Sequence, residues 1–246
     1  SRERDAVVFV FAYPVIMMGI FGAVFGDQQV APGVSFAQYF AAGIVATGVV
    51  LTSFQSLAIT IAGEREDGTL KRLRGTPMPP VAYVLGKVGL VLVTSVAQVA
   101  LLLAVASLAF GVDLPPDAAR WTTFGWVFVL GTVAGTVLGI AVSALPRSAR
   151  SANAVIAPIV IVLQFLSGVF FVYSSLPGWM RSVAELFPLK WMAQGMRSAF
   201  LPDSAAAAEV SGSWQLGTTA LVLAAWSVVG LVLCLRTFRW TRRDAG

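Results

Sequence analysis

The chain has 246 residues, of which 57% are hydrophobic and only 12% charged, with a formal net charge of +5 and a mean hydropathy of +0.82. Soluble domains average ~45–50% apolar and ~25% charged residues, so this chain has too little polar surface for a water-soluble globule and reads as an integral membrane protein. It has no histidine, which excludes imidazole acid–base chemistry and the commonest metal ligand. Its single cysteine, Cys234, can form neither an internal disulfide nor a thiolate metal site, and within the apolar run 231–235 it reads as a packed thiol.

Six apolar runs follow in chain order, at about 6–25, 39–62, 88–110, 122–145, 154–172 and 214–235. Each reaches the ~17–25 residues that cross a hydrocarbon core. Together they take up so much of the chain that no separate soluble domain of ordinary size fits beside them. The expected fold is an all-α polytopic membrane protein with six transmembrane helices in one domain, 1–246. The first run is too long for a cleaved signal, carries Pro14, and lacks a small-residue cleavage site before the next polar stretch. Pro14 and Pro158 each remove an intrahelical hydrogen bond and favour a kink.

Lys and Arg collect on one side of these runs. Thirteen of the 17 basic residues, including Arg65, Lys71, Arg72, Lys87, Arg147 and Arg150, fall on the side that holds both ends of the chain. The positive-inside rule makes that side, and both termini, cytoplasmic. The remaining four are Arg120, Arg181, Lys190 and Arg197. The basic balance therefore reflects topology and anionic headgroups, with no nucleic-acid patch implied.

No Asp or Glu lies inside the runs, and Lys87 sits near enough to a cytoplasmic end to snorkel. Intramembrane carboxylates that would bind or relay a coupling ion are thus missing. Gln55, Gln98 and Gln164 remain as polar groups, each either bonding to a neighbouring helix or touching a substrate. In the fourth run Gly131, Gly135, Gly139 and Ser143 recur every four positions, a stripe that permits close approach of another helix.

The loop 63–77 is the most informative stretch. Thr69 is placed to cap a short helix through Leu70, Lys71, Arg72, Leu73 and Arg74, with acids before it and bases at its end, as its dipole favours. Gly75 and Pro77 stop it. Leu70 and Leu73 share one face, a patch too small to fold alone. The segment is either a docking helix for a cleft on another protein or a solvated positive-inside loop.

Glu64, Glu66, Gly68, Thr69, Leu70 and Leu73, closing with Thr76 and Pro77, resemble the coupling-helix region of ABC type-2 export permeases of the drug-resistance branch. Lys71 and Arg72 occupy positions that are variable and usually charged in that family. The resemblance implies that this segment inserts into a separate ATP-binding subunit. Residues Glu64, Glu66, Gly68, Thr69, Leu70, Arg72 and Leu73 are the candidate ATPase-coupling set.

About 40 residues separate the fifth and sixth runs, far more than the other loops. There Leu189, Met192, Met196 and Phe200 form one helical stripe, with Lys190, Gln194 and Arg197 elsewhere on the helix. Trp179 and Trp191 fit the headgroup level. Short helices dipping into the outer leaflet are expected, because such a stripe needs lipid or protein against it. The runs 166–171 and 176–179, then Pro188, Leu189 and Arg197, resemble the same family's re-entrant outer helices before the last span. Lys190 departs from the small residue often found there.

No G-x-x-x-x-G-K-[ST] loop is present, since Gly86 and Lys87 lack the upstream glycine and the following hydroxyl. A transporter built this way needs an external motor. By resemblance, the motor is a separate ATP-binding-cassette ATPase in two copies, carrying the ATP and Mg, so no cofactor is expected on this chain. A second permease, a copy or a homologue, completes the unit in a bacterial inner membrane. Gln55, Gln164, Phe165, Phe170 and Phe171 are candidate lining for an outward path of an amphiphilic drug or lipid-like cargo. Exporters of drugs, lipids, glycolipids and peptides share these features. The alternatives are a membrane-embedded enzyme, for which the spans offer no convergent ionisable groups, a glycosyl- or phosphatase-type site in the outer loop from Glu185, Asp203 and Glu209, and a motor-less scramblase or scaffold.

Overall fold

The computed structural model describes residues 2–75, 77 and 79–237. Thr76, which closes the loop motif, and the basic tail residues Arg239, Arg242 and Arg243 lie outside the described residues.

Helix α1 (Arg2–Phe25) contains Pro14 and leads through a short antiparallel hairpin, β1 (Gln29–Ala31) and β2 (Val34–Ser35), into α2 (Phe36–Val50). Gly33 turns the hairpin at φ +74°. The Ser35 hydroxyl accepts the Gln38 N–H at 3.2 Å and starts α2. Helix α2 continues through a π-helical turn (Leu51–Ser56) into α3 (Leu57–Glu66), so the second span is a single rod, Phe36–Glu66. Two hydroxyls lie within the π turn. Thr52 Oγ1 donates to the Gly48 carbonyl at 3.0 Å and Ser53 Oγ to the Val49 carbonyl at 2.6 Å. Hydroxyls that engage i−4 carbonyls bend a helix and loosen its ladder.

The short α4 (Thr69–Arg74) follows, then α5 (Pro80–Phe110), α6 (Ala118–Val142) and α7 (Ala149–Leu166). Pro80 opens α5 where its missing N–H costs nothing. Asp117 caps α6 by accepting the Arg120 N–H at 2.8 Å, and Ser148 caps α7 in a reciprocal pair with Ser151. Two short helices, α8 (Gly178–Ala184) and α9 (Pro188–Phe200), precede α10 (Leu216–Thr237). Five helices among the described residues are long and apolar enough to cross a membrane; α1 contributes the shorter apolar stretch Val10–Phe25.

The expected fifth span needs correction. Helix α7 ends at Leu166 rather than at 172, because Gly168 turns the chain at φ +70° with the Val169 N–H on the Gln164 carbonyl. The apolar residues Val169 and Phe170 are buried in the turn that follows. A Cβ on Gly168 would sit 2.7 Å from Tyr173 Cβ, so close approach as well as conformation requires glycine here.

Helix α9 lies between α2 and α6 and is buried on every side from Leu189 to Phe200. Its Leu189, Met192, Met196 and Phe200 stripe packs into the main core with Phe40, Val127 and Phe128. The stripe therefore meets protein rather than lipid. Outward-facing Leu85, Leu90, Val93 and Leu108 on α5 and Leu221, Val228 and Leu235 on α10 are exposed, as the lipid-facing side of a span would be.

The glycine stripe of α6 packs inside the chain. A Cβ on Gly139 would lie 2.9 Å from the carbonyl oxygens of Ser53 and Phe54, and one on Gly135 2.0 Å from Ser53 Oγ. At Gly131 it would meet Met192 Cε at 2.5 Å. The π turn of the second span and α9 therefore sit directly on the α6 backbone. Ser143 caps the end of α6.

Candidate functional site

The foot of the second span gathers most of the motif residues. Consecutive helical residues fan out by about 100°, and the last three of α3 reach three different elements. Glu64 accepts the Tyr83 hydroxyl at 2.6 Å and pairs with the Lys87 ammonium, both on the first turns of α5. Arg65 Nη1 donates to the Ser143 carbonyl at 2.5 Å, where α6 ends. Glu66 Oε2 accepts the Ala149 N–H at 3.1 Å, where α7 begins. A cation at a helix C-terminus and a carboxylate at an N-terminus both complement the backbone dipole. Lys87 thus meets a carboxylate rather than open water.

Gly68 turns the chain into α4 at φ +78°, with open space around it, so only its conformation selects glycine. Thr69 is not the cap expected for this helix: it is the first helical residue, and its N–H donates to Asp67 Oδ1 at 2.9 Å. The Thr69 hydroxyl and N–H hold the Asp67 carboxyl below its usual range.

The apolar face of α4 also needs correction. Leu70 is fully buried in the chain's own cluster of Leu57, Ile61, Tyr83, Val91, Ile140 and Cys234, and Leu73 packs against the same cluster. The spacing that put both leucines on one face does not say what covers that face. Here it is the foot of spans two to four and six. What α4 offers to solvent is polar: Lys71 and Arg72 are exposed, beside Asp67, whose carbonyl accepts Arg72 Nη2 at 3.3 Å.

Next to this foot, a cavity of about 740 Å³ opens between α1, the second span and α7. Val10, Leu51, Ile59 and Ala157 give it an apolar wall; Gln55, Thr60 and Asn153 give it polar points, and Glu66 and Arg150 stand at one end. A cavity with mostly apolar walls and a few polar groups fits an amphiphile. Of the candidate lining residues, Gln55 is in its wall. Gln164 is elsewhere, buried and accepting the Tyr13 hydroxyl at 2.8 Å. Phe170 is buried among Phe21, Phe40 and Phe165, while Phe165 and Phe171 turn outward. Gln98 stays within the bundle, its side-chain amide 2.8 Å from the Thr52 hydroxyl, which is shared between it and the Gly48 carbonyl.

The opposite end of the bundle holds a buried charge cluster that sequence reading missed. Arg197 Nε donates to Glu209 Oε1 at 2.6 Å, and the guanidinium carbon lies 5.0 Å from the Tyr39 ring centre. Lys190 donates to Gln194 Oε1 at 2.5 Å and lies 3.5 Å from the Trp191 ring centre. Burial pushes the Lys190 ammonium down to about 8, against the opposing pull of Glu209 and Glu185. Burial likewise raises the Tyr173 phenol, whose hydroxyl donates to the Arg181 carbonyl. The polar positions of α9, placed off the apolar stripe, are therefore interior groups. The only available signal was their occurrence in a hairpin otherwise so apolar. The three outer acids each have their own partner: Glu209 has Arg197, exposed Asp203 has Arg120 at 3.1 Å, and Glu185 accepts from Tyr173 at 3.4 Å. No cluster of three or more His, Cys, Asp or Glu able to hold a metal occurs among the described residues.

The sequence profile of the ABC-2 type transporter family matches residues 1–201. The chain is similar to an inner membrane transport permease of Escherichia coli strain K12, with 24% identity over 198 residues, 79% of this chain and 73% of the relative. A permease of the same description from Shigella flexneri matches to the same extent. ABC transporter G family member 23 of Dictyostelium discoideum shares 25% identity over 185 residues, 74% of this chain but 25% of that longer protein.

Proposed function

This chain belongs to the ABC-2 type transporter family, a family of multi-pass transport permeases, and from that premise we propose that it is the membrane subunit of an ATP-driven exporter. Energy comes from a separate ATP-binding-cassette subunit, which carries the ATP and Mg, and two permeases work with two such ATPases. The side bearing α4 faces the cytoplasm, with both termini, and α1 makes the sixth crossing of a bacterial inner membrane. The thirteen basic residues on that side support this orientation.

One observation carries the reading. The polar face of α4 projects from a foot whose every neighbour is a membrane-length helix, and a cavity of about 740 Å³ lies beside it. The ATPase grips α4 through Asp67, Lys71, Arg72 and the rim of Leu73. Leu70 supports the segment from inside. Closure of the ATPases pushes α4 and the second span, and an amphiphilic drug or lipid-like cargo moves outward from the cavity past Gln55.

The test is co-expression with a candidate ATP-binding-cassette subunit from the same genome, followed by reconstitution in lipid vesicles and measurement of ATP hydrolysis and of the efflux of amphiphilic dyes. Dye efflux that requires both subunits and ATP is expected. Export by this polypeptide alone would overturn the reading.

A further inference from the structure

Three consecutive side chains at the end of the second span bond to the ends of three other spans. Glu64 holds the start of α5 through Tyr83 and Lys87, Arg65 holds the end of α6 through the Ser143 carbonyl, and Glu66 holds the start of α7 through the Ala149 N–H. The two acids are in the motif that the resemblance assigns to the ATPase contact, yet both carboxylates are engaged within the chain. We propose that Glu64, Arg65 and Glu66 are positioning residues that divide one displacement of α4 among the third, fourth and fifth spans, with Lys87 as the receiving group on the third.

Helix α4 is joined to α3 by only Asp67 and Gly68, so a push on α4 is delivered within one turn of the triplet. The Arg65 and Glu66 bonds land at helix ends and the Glu64 bonds within about the first two turns of α5, where a small shift moves a whole rod. Glu64 and Lys87 are largely removed from solvent, with side chains 19% and 13% exposed, so their pairing is weakly screened. The three routes are chemically distinct, being an ion pair with a phenol, a cation on a carbonyl and a carboxylate on an amide. Each can therefore be cut separately. The inference rests on the exporter reading above, since it needs an ATPase to supply the push.

The experiment is hydrogen exchange on the permease–ATPase complex in lipid nanodiscs, with and without ATP, Mg and vanadate. In the unaltered complex, nucleotide is expected to change exchange at α4 and at the starts of α5 and α7 together. Glu64→Ala, and Lys87→Met combined with Tyr83→Phe, should each keep the α4 response and cut the α5 response at least threefold while sparing α7. Glu66→Ala should do the reverse. The double exchange Glu64→Lys with Lys87→Glu should restore the α5 response, which a merely structural loss would not allow. If Glu64→Ala fails to fold, Lys87→Met with Tyr83→Phe and the double exchange decide. An α5 response that survives Lys87→Met combined with Tyr83→Phe, or equal losses at α5 and α7 in both routes, overturns the inference and leaves the exporter reading standing. Absence of any α4 response in the unaltered complex overturns the exporter reading itself, and this inference with it.

Discussion

Arg197 on α9 and Glu209 in the loop beyond it form an ion pair at 2.6 Å with both side chains buried. A buried pair is costly to assemble but far costlier to break on one side, because the survivor keeps its charge without compensation. Glu209→Ala is therefore expected to destabilise the protein by about 3–5 kcal/mol. Replacing both partners at once, with Arg197→Met and Glu209→Leu, should lie much closer to the unaltered protein. Reversible unfolding by SDS in mixed micelles measures both. A Glu209→Ala loss no larger than the ~0–1 kcal/mol of a surface pair would contradict the burial.

Lys190 makes the same region sensitive to pH. Its folded-state value of about 8 lies below the ordinary 10.5, so between these limits the unfolded chain binds more protons than the folded one. Stability contributed by this group therefore rises with pH across that window, with a slope of at most about 1.4 kcal/mol per pH unit. The groups facing it are Glu209, Glu185 and Arg197. Lys190→Met should flatten the rise seen in unfolding midpoints measured from pH 7.5 to 10.5. An unchanged slope in the variant would assign the effect to other groups.

Five of the six expected spans and the short loop helix after the second span were legible because apolar runs of bilayer length and Gly–Pro punctuation are local signals. The end of α7 was not. Val169 and Phe170 are as apolar as a span, and only the Gly168 turn against Tyr173 separates buried loop from helix. The Leu70 and Leu73 spacing correctly put two leucines on one face, but the body covering that face is built from Tyr83, Ile140 and Cys234, distant in sequence. The same limit applies to the polar groups. Gln55 could be picked out as an intramembrane amide, whereas Glu64 meeting Lys87 across 23 positions depends on how α5 returns beside α3.

The contact between α6 and the π turn gives a sharper packing test. A methyl added at Gly139 would meet the carbonyl oxygens of Ser53 and Phe54 at 2.9 Å, and backbone cannot rotate away as a side chain can. Gly139→Ala is expected to cost about 1–3 kcal/mol through overpacking. At Gly125, on the same helix, a methyl meets nothing within 4 Å. There the same substitution should be neutral or stabilise by up to about 1 kcal/mol, since alanine loses less backbone freedom. Similar unfolding midpoints for the two variants would show that α6 does not approach the second span as closely as stated.

Leu70 separates support from contact in the coupling segment. It is fully buried, so Leu70→Ala should remove packing and leave a void, costing about 2–5 kcal/mol of stability. The Arg72 side chain is exposed and donates to the nearby Asp67 carbonyl, so Arg72→Ala should change stability by less than about 0.5 kcal/mol. Co-purification with the ATPase is expected to show the opposite ranking once folded protein is compared at equal amounts. Arg72→Ala, combined with Lys71→Ala, should weaken capture, because these side chains face outward. Folded Leu70→Ala should still be captured, because its methyl groups never reach the partner. If the stable Lys71→Ala, Arg72→Ala protein binds as well as the unaltered chain while folded Leu70→Ala does not, then the leucine face opens on docking and the polar face is idle.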